Sequence, residues 1–69
     1  MKSKFSQRLF ELRQDKHLSQ GAVAKAIGVS QKAIDFWEKD ISEPKLSYIV
    51  RLASFFGVSC DYLMGAKDD

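Results

Sequence analysis

Gln31, Lys32, Asp35, Phe36 and Lys39 stand at spacing i, i+1, i+4, i+5 and i+8. At about 100° per residue these positions share one arc of a helix, opposite Ile34 and Trp37. All but Phe36 are polar, and their donors and acceptors match the edges of base pairs. A Gln amide suits adenine, a Lys ammonium suits the guanine O6 and N7 acceptors, and an Asp carboxylate can accept from the cytosine amino group. Asp35 could also repel phosphate and exclude wrong registers. Phe36 has no packing reason to face outward, and it can touch a thymine methyl group. The bland alternative is that this arc is only the solvated side of an amphipathic helix. What precedes it favours contact with DNA.

Residues 18–38 read LSQGAVAKAIGVSQKAIDFWE, two short helical patterns meeting at Gly28. That is the construction of a helix-turn-helix, with one helix anchored in a core and the next presented to a major groove. The first of the two is predicted from about Gln20 to Ile27, capped by Ser19, with Val23, Ala24 and Ile27 inward. Gly28 ends it as a left-handed residue. Ser30 then caps a helix from about Gln31 to Lys39, and Asp40 is a tolerable non-glycine stop. Free amides at a helix start suit phosphate, which makes Gln20 a phosphate candidate. Lys39, Lys45 and Lys25 could add contacts that position the domain without reading sequence. A plain solubility role is the alternative for each lysine.

The surrounding pattern is helical throughout, with no clean strand alternation. A first helix is predicted from about Lys4 to Lys16, capped by Ser3, with Phe5, Leu9 and Leu12 on one face and the Lys16 stem along its edge. Phe10 lies off that face, and His17 falls in the following turn. Pro44 makes residues 40–45 a loop. A fourth helix is expected from about Leu46 to Phe56, its stripe formed by Leu46, Ile49, Ala53 and Phe56 and widened by Val50 and Leu52. Tyr48 and Phe55 then lie exposed on its second face. Gly57 ends this helix, and Ser59 caps a short fifth one to about Met64, with Val58 and Leu63 inward. The expected architecture is one all-α, five-helix domain over residues 1–65 with a frayed polar tail at 66–69.

Composition narrows the function classes. At 69 residues and 45% hydrophobic, the chain can build one small core. A single cysteine excludes an internal disulfide, and one His with one Cys makes no zinc site. No cofactor or metal is therefore expected. No apolar run reaches the roughly 18 residues of a membrane span, and no secretory h-region opens the chain. A free thiol without an export signal fits a reducing cytoplasm. His17 has no neighbouring nucleophile, and neither a paired carboxylate site nor a glycine-rich phosphate loop is present, so an enzyme is not expected. Charge is uneven: residues 1–39 carry +4 and residues 40–69 carry −2. The positive half holds the helix-turn-helix, as a module that meets phosphate on one side requires.

The series Leu18-Ser19-Gln20, Val23-Ala24, Ile27-Gly28-Val29-Ser30, Ile34, Trp37-Glu38, Pro44, Leu46, Ile49, Leu52-Ala53 and Phe56-Gly57-Val58-Ser59 resembles the phage-repressor and Cro-like helix-turn-helix family, the XRE type. Arg8-Leu9 and Leu12-Arg13 extend the resemblance to about nine-tenths of the chain. It implies a five-helix lambda-repressor-like fold with helix 3 in the major groove. Ser30, Gln31, Lys32 and Phe36 would occupy the family's base-contacting positions. Gln20 would brace a phosphate and a recognition-helix side chain. Arg13 and Glu38 would pair between helix 1 and the end of helix 3, orienting the helix more than stabilising the fold. Arg13 as a phosphate ligand is the alternative, and the two roles can coexist. The resemblance also implies a small bacterial or phage transcriptional regulator, a repressor, acting on double-stranded DNA as a weak or DNA-templated homodimer. Val58, Cys60, Tyr62 and Met64 would supply the dimer surface. An antitoxin that binds a protein partner as well as its operator is the competing reading. Two departures stand out. Asp40 and Glu43 make the loop after helix 3 acidic where relatives are often basic, and Phe36 replaces what is often a polar reader.

Overall fold

A serine or a glycine stands at most helix boundaries, and each does the work its chemistry allows. The computed structural model describes residues 3–67. It contains α1 (Lys4–Asp15), α2 (Gln20–Ile27), α3 (Gln31–Glu38), α4 (Leu46–Phe56) and α5 (Cys60–Met64), with no strand among the described residues. Ser3, Ser19, Ser30 and Ser59 each accept, through the side-chain oxygen, the amide of the residue three further on. One orphan donor per helix is satisfied that way. Gly28, Gly57 and Gly65 close α2, α4 and α5 in the left-handed conformation. At α3 the same job falls to Asp40, at φ +61°. Its amide reaches the Trp37 carbonyl at 3.2 Å, and the Ile41 amide reaches the Phe36 carbonyl at 2.9 Å. This is a Schellman closure built on an aspartate.

The five helices enclose one core. Leu9, Val23, Ile34, Leu52 and Leu63, one from each helix, are fully buried at its centre. Phe5, Ala24, Ile27, Trp37, Ile49, Ala53 and Phe56 complete it. Val58 packs against it from the side, as does Tyr48, whose ring lies 5.9 Å from that of Trp37. Tyr48 is thus half-buried rather than an exposed aromatic.

Several sequence expectations need correction. On α1 the inward face is Phe5, Ser6, Leu9 and Arg13. Leu12 sits at its margin, and Lys16, expected along its edge, is an exposed C-cap. On α4, Leu46 is 72% exposed and Val50 is half exposed, so both leave the predicted stripe. Leu46 is the first residue of its helix, and Val50 lies one turn further along the same side. The polar tail begins tied down. The amides of Ala66 and Lys67 both reach the Asp61 carbonyl, at 2.8 and 3.3 Å. Residues 68 and 69 of that tail lie outside the described residues.

Three side chains latch helix ends to other helices. Arg8 of α1 donates to the carbonyls of Tyr62 and Lys67 and lies over the Tyr62 ring, 4.3 Å from its centroid, which closes the end of α5. Arg51 of α4 donates to the Ile27 carbonyl at 3.1 Å, placing a cation at the negative end of α2. Asp40 accepts from the Ser3 amide at 2.9 Å and lies 3.2 Å from the buried Ser6 hydroxyl, which itself donates to the Trp37 carbonyl. The start of α1 is thereby fastened to the end of α3. The Asp40 carboxylate is therefore a structural group.

Two measurements test these closures. A methyl added at Gly57 meets no atom within 4 Å, whereas one added at Gly65 would lie 2.6 Å from Lys4 Cβ. Gly57→Ala is expected to cost roughly 1–2 kcal/mol for its left-handed backbone alone. Gly65→Ala should cost more, a ranking that thermal melts of the two variants would check. The hydrogen bond from the Ser3 amide, with smaller help from the Ser3 and Ser6 side chains, holds the Asp40 carboxyl below its ordinary value. Its stabilisation is therefore complete above the ordinary carboxylate range near about pH 4 and is lost as pH falls through the lowered value. Asp40→Asn should lower Tm at neutral pH and flatten the fall of Tm in acid.

Candidate nucleic-acid interface

Ile34 and Trp37 seat α3 in the core, and this fixes which arc of the helix faces out. Gln31 and Lys32 are exposed on that arc, as is Ser30 at the cap. Asp35 and Phe36 are partly buried in the same face. Lys32 Nζ stands 5.5 Å from the centroid of the Phe36 ring, so these two side chains form one unit. Phe36 is less exposed than an outward-facing reader was expected to be, because Lys32 lies over it. Gln31 reaches back toward α2. Its Oε1 would lie 3.2 Å from a β-carbon at Gly21, so a residue without a side chain there lets the amide fold close.

What sets the roll of α3 about its own axis is a polar chain running from the core to the surface. Arg13 Nε and Nη2 donate to the two oxygens of Glu38 at 2.6 and 2.9 Å, a bidentate pair with both side chains at least nine-tenths buried. Arg13 Nη1 also donates to the Leu18 carbonyl at 2.9 Å. The guanidinium thus ties α1, the turn after it and α3 together. Its hydrogen bond to Glu38 holds its pKa above the ordinary value, against the opposing effect of burial. Gln20 continues the chain outward. Its Nε2 donates to Glu38 Oε1 at 3.2 Å and to Asp35 Oδ1 at 3.1 Å. Asp35 Oδ2 then meets Lys39 Nζ at 2.9 Å. The Lys39 and Gln20 hydrogen bonds hold the Asp35 carboxyl below its ordinary value. No buried side-chain polar atom among the described residues lacks a partner.

This geometry redistributes the expected roles. Arg13 is turned inward with each of its three nitrogens donating inside the domain, the geometry of the ion pair with Glu38 and not of an outward phosphate ligand. The Gln20 side-chain amide hydrogens face α3, and what Gln20 offers outward is the backbone amide of the first turn of α2. Lys39 is exposed but bonded to Asp35, whereas Lys45 is exposed at the start of α4. Of the four residues named for a dimer surface, Met64 is about half exposed. Val58 and Cys60 pack against the core, and Tyr62 lies beneath Arg8. The Arg8, Arg51 and Asp40 latches escaped sequence reasoning, since their partners lie 24 or more residues away with no local spacing to mark them.

Residues 9–63 match the helix-turn-helix family. Among curated relatives, the uncharacterized HTH-type transcriptional regulator YobD of Bacillus subtilis is 34% identical over 65 residues, covering 94% of this chain and 58% of the relative. The cryptic phage CTXphi transcriptional repressor RstR of Vibrio cholerae is 39% identical over 54 residues, covering 78% of this chain and 49% of the relative. This chain thus spans about half the length of these relatives. Among solved structures, the P22 c2 repressor in complex with a synthetic operator superposes with a TM-score of 0.86 at 30% identity, over 91% of this chain and 96% of that one. The restriction-modification controller protein of Aeromonas hydrophila superposes with a TM-score of 0.80 at 33% identity, over 87% and 91%. The five-helix, repressor-like fold expected from the sequence is the fold these structures share.

Removing Glu38 would leave the Arg13 charge buried without its partner, a change that costs roughly 3–5 kcal/mol in comparable sites. Glu38→Ala is expected to melt far below the parent in a thermal scan followed by circular dichroism. The double variant Arg13→Met/Glu38→Leu, which removes both charges, should recover part of the loss.

Proposed function

This chain belongs to the helix-turn-helix (XRE-type) family, and from that premise we propose that it is a sequence-specific DNA-binding regulator, a repressor, of bacterial or phage type. The reading is carried by one observation: its α2–α3 unit superposes, with the whole domain, on a repressor bound to operator DNA. In this reading α3 lies in the major groove. Ser30, Gln31 and Lys32 point toward base edges, and Phe36 presents its ring edge beside them, suited to a thymine methyl group. Lys32 approaches guanine from a position steadied by the ring beneath it. The first-turn amides of α2, beginning at Gln20, and the Lys45 ammonium meet the phosphate backbone on either side and fix the register. Two copies bind a two-fold-related site, with Met64 at the surface that brings them together. Action on DNA locates the protein in the cytoplasm.

In vitro selection from random duplex DNA tests the reading and supplies the half-site and its spacing. On the selected duplex, Gln31→Ala and Lys32→Ala should each weaken binding by roughly 1–3 kcal/mol while leaving the helical circular dichroism unchanged. Affinity should also fall steeply with salt. If both variants bind as tightly as the parent, α3 is not the reading element.

A further inference from the structure

Asp35 stands in the middle of the proposed base-reading arc, yet both of its oxygens are already engaged. Oδ1 accepts from Gln20 Nε2 at 3.1 Å, and Oδ2 faces Lys39 Nζ at 2.9 Å. The two partners stand in the first turn of α2 and at the C-cap of α3, both helix ends beside which phosphates would pass in the DNA reading of this face. An exposed i, i+4 ion pair is loose on its own. This one is steadied because Gln20, which holds Asp35, is itself anchored to the buried Glu38 at 3.2 Å. The restraint on Lys39 therefore traces back to the Arg13 pair inside the domain.

We infer that Asp35 determines specificity by restraint: it withholds the Lys39 ammonium and the Gln20 side chain from phosphate, so that sequence-independent binding stays weak and base edges supply more of the affinity. The inference rests on the DNA reading of this face and names a role within it. A lysine already paired with a carboxylate adds no net charge to the surface, and such a lysine displaces no counterion from DNA. Specificity is the ratio of affinities for the right and the wrong duplex, and weakening the electrostatic contribution common to both raises it.

The test compares the parent with Asp35→Asn, which keeps the side-chain shape and an acceptor for Gln20 but releases Lys39. Binding is measured on the duplex enriched by selection and on a shuffled duplex of the same length, across a salt series. On the shuffled duplex, Asp35→Asn should steepen the slope of log affinity against log salt by about 0.9, one added phosphate contact. The loss between about 50 and 200 mM salt then grows about 3.5-fold. Affinity for the shuffled duplex should rise by a larger factor than affinity for the selected one. The double variant Asp35→Asn/Lys39→Gln, which removes both charges of the pair, should return to the parental slope. Weaker binding of Asp35→Asn to the selected duplex at an unchanged slope would mean that Asp35 reads a base, and the inference falls. It falls equally if the double variant has a slope about 0.9 flatter than the parent's, which would make Lys39 a phosphate ligand despite Asp35. A parent protein that binds neither duplex overturns the DNA reading itself, an outcome visible before any variant is compared.

Discussion

The Arg13–Glu38 pair is the interaction on which the rest of this small domain's geometry hangs. It is bidentate and buried, and it joins the first helix to the last turn of the third. A buried ion pair is weak evidence for stability, because desolvating two charges offsets most of their attraction. What it provides here is orientation. An eight-residue helix seated by Ile34 and Trp37 could roll in its groove, since apolar packing is not directional. Two parallel N–H···O bonds at one end remove that freedom. The same carboxylate takes the Gln20 amide, so the start of α2 is aligned with the end of α3 through a single group.

The helix ends carry a comparable burden. A domain of this size has many helix termini for its core, and each leaves backbone groups without intrahelical partners. Four serines cap four of the five starts. The finishes are met by three glycines, His17 and Asp40 in left-handed conformation, and by two arginines that reach across from other helices. Asp40 does two jobs at once. Its backbone takes the left-handed turn that ends α3, and its carboxylate holds the start of α1. The acidic residue that follows α3 thus serves a fixed junction between helices.

The surface arc of α3 is not a free row of readers. Gln31 folds toward Gly21, Lys32 lies over Phe36, and Asp35 is held from both sides. Each side chain thus starts from a restricted set of positions, and restricting them beforehand reduces the entropy lost on binding.

Much was legible in the residues themselves. The five helices, their serine and glycine ends, the Val23, Ala24 and Ile27 stripe and the outward arc of α3 follow from capping chemistry and the 3.6-residue period, both of which act within a few neighbours. Pairing of Arg13 with Glu38 was available only by resemblance, because no spacing within the chain marks two residues 25 apart as partners. Local pattern misassigned Leu46, Val50 and Lys16, since a helical stripe says which side is apolar and not how far the neighbouring helices extend to cover it. It also left Asp35 and Lys39 as independent ligands and Asp40 as a departure. The Asp35–Lys39 contact is an i, i+4 spacing within one helix that the sequence holds. Gln20 and Ser3, which fix Asp35 and Asp40, come from α2 and the cap of α1, and only the packed structure, by setting distances of about 3 Å across the bundle, decided that these charges are already taken.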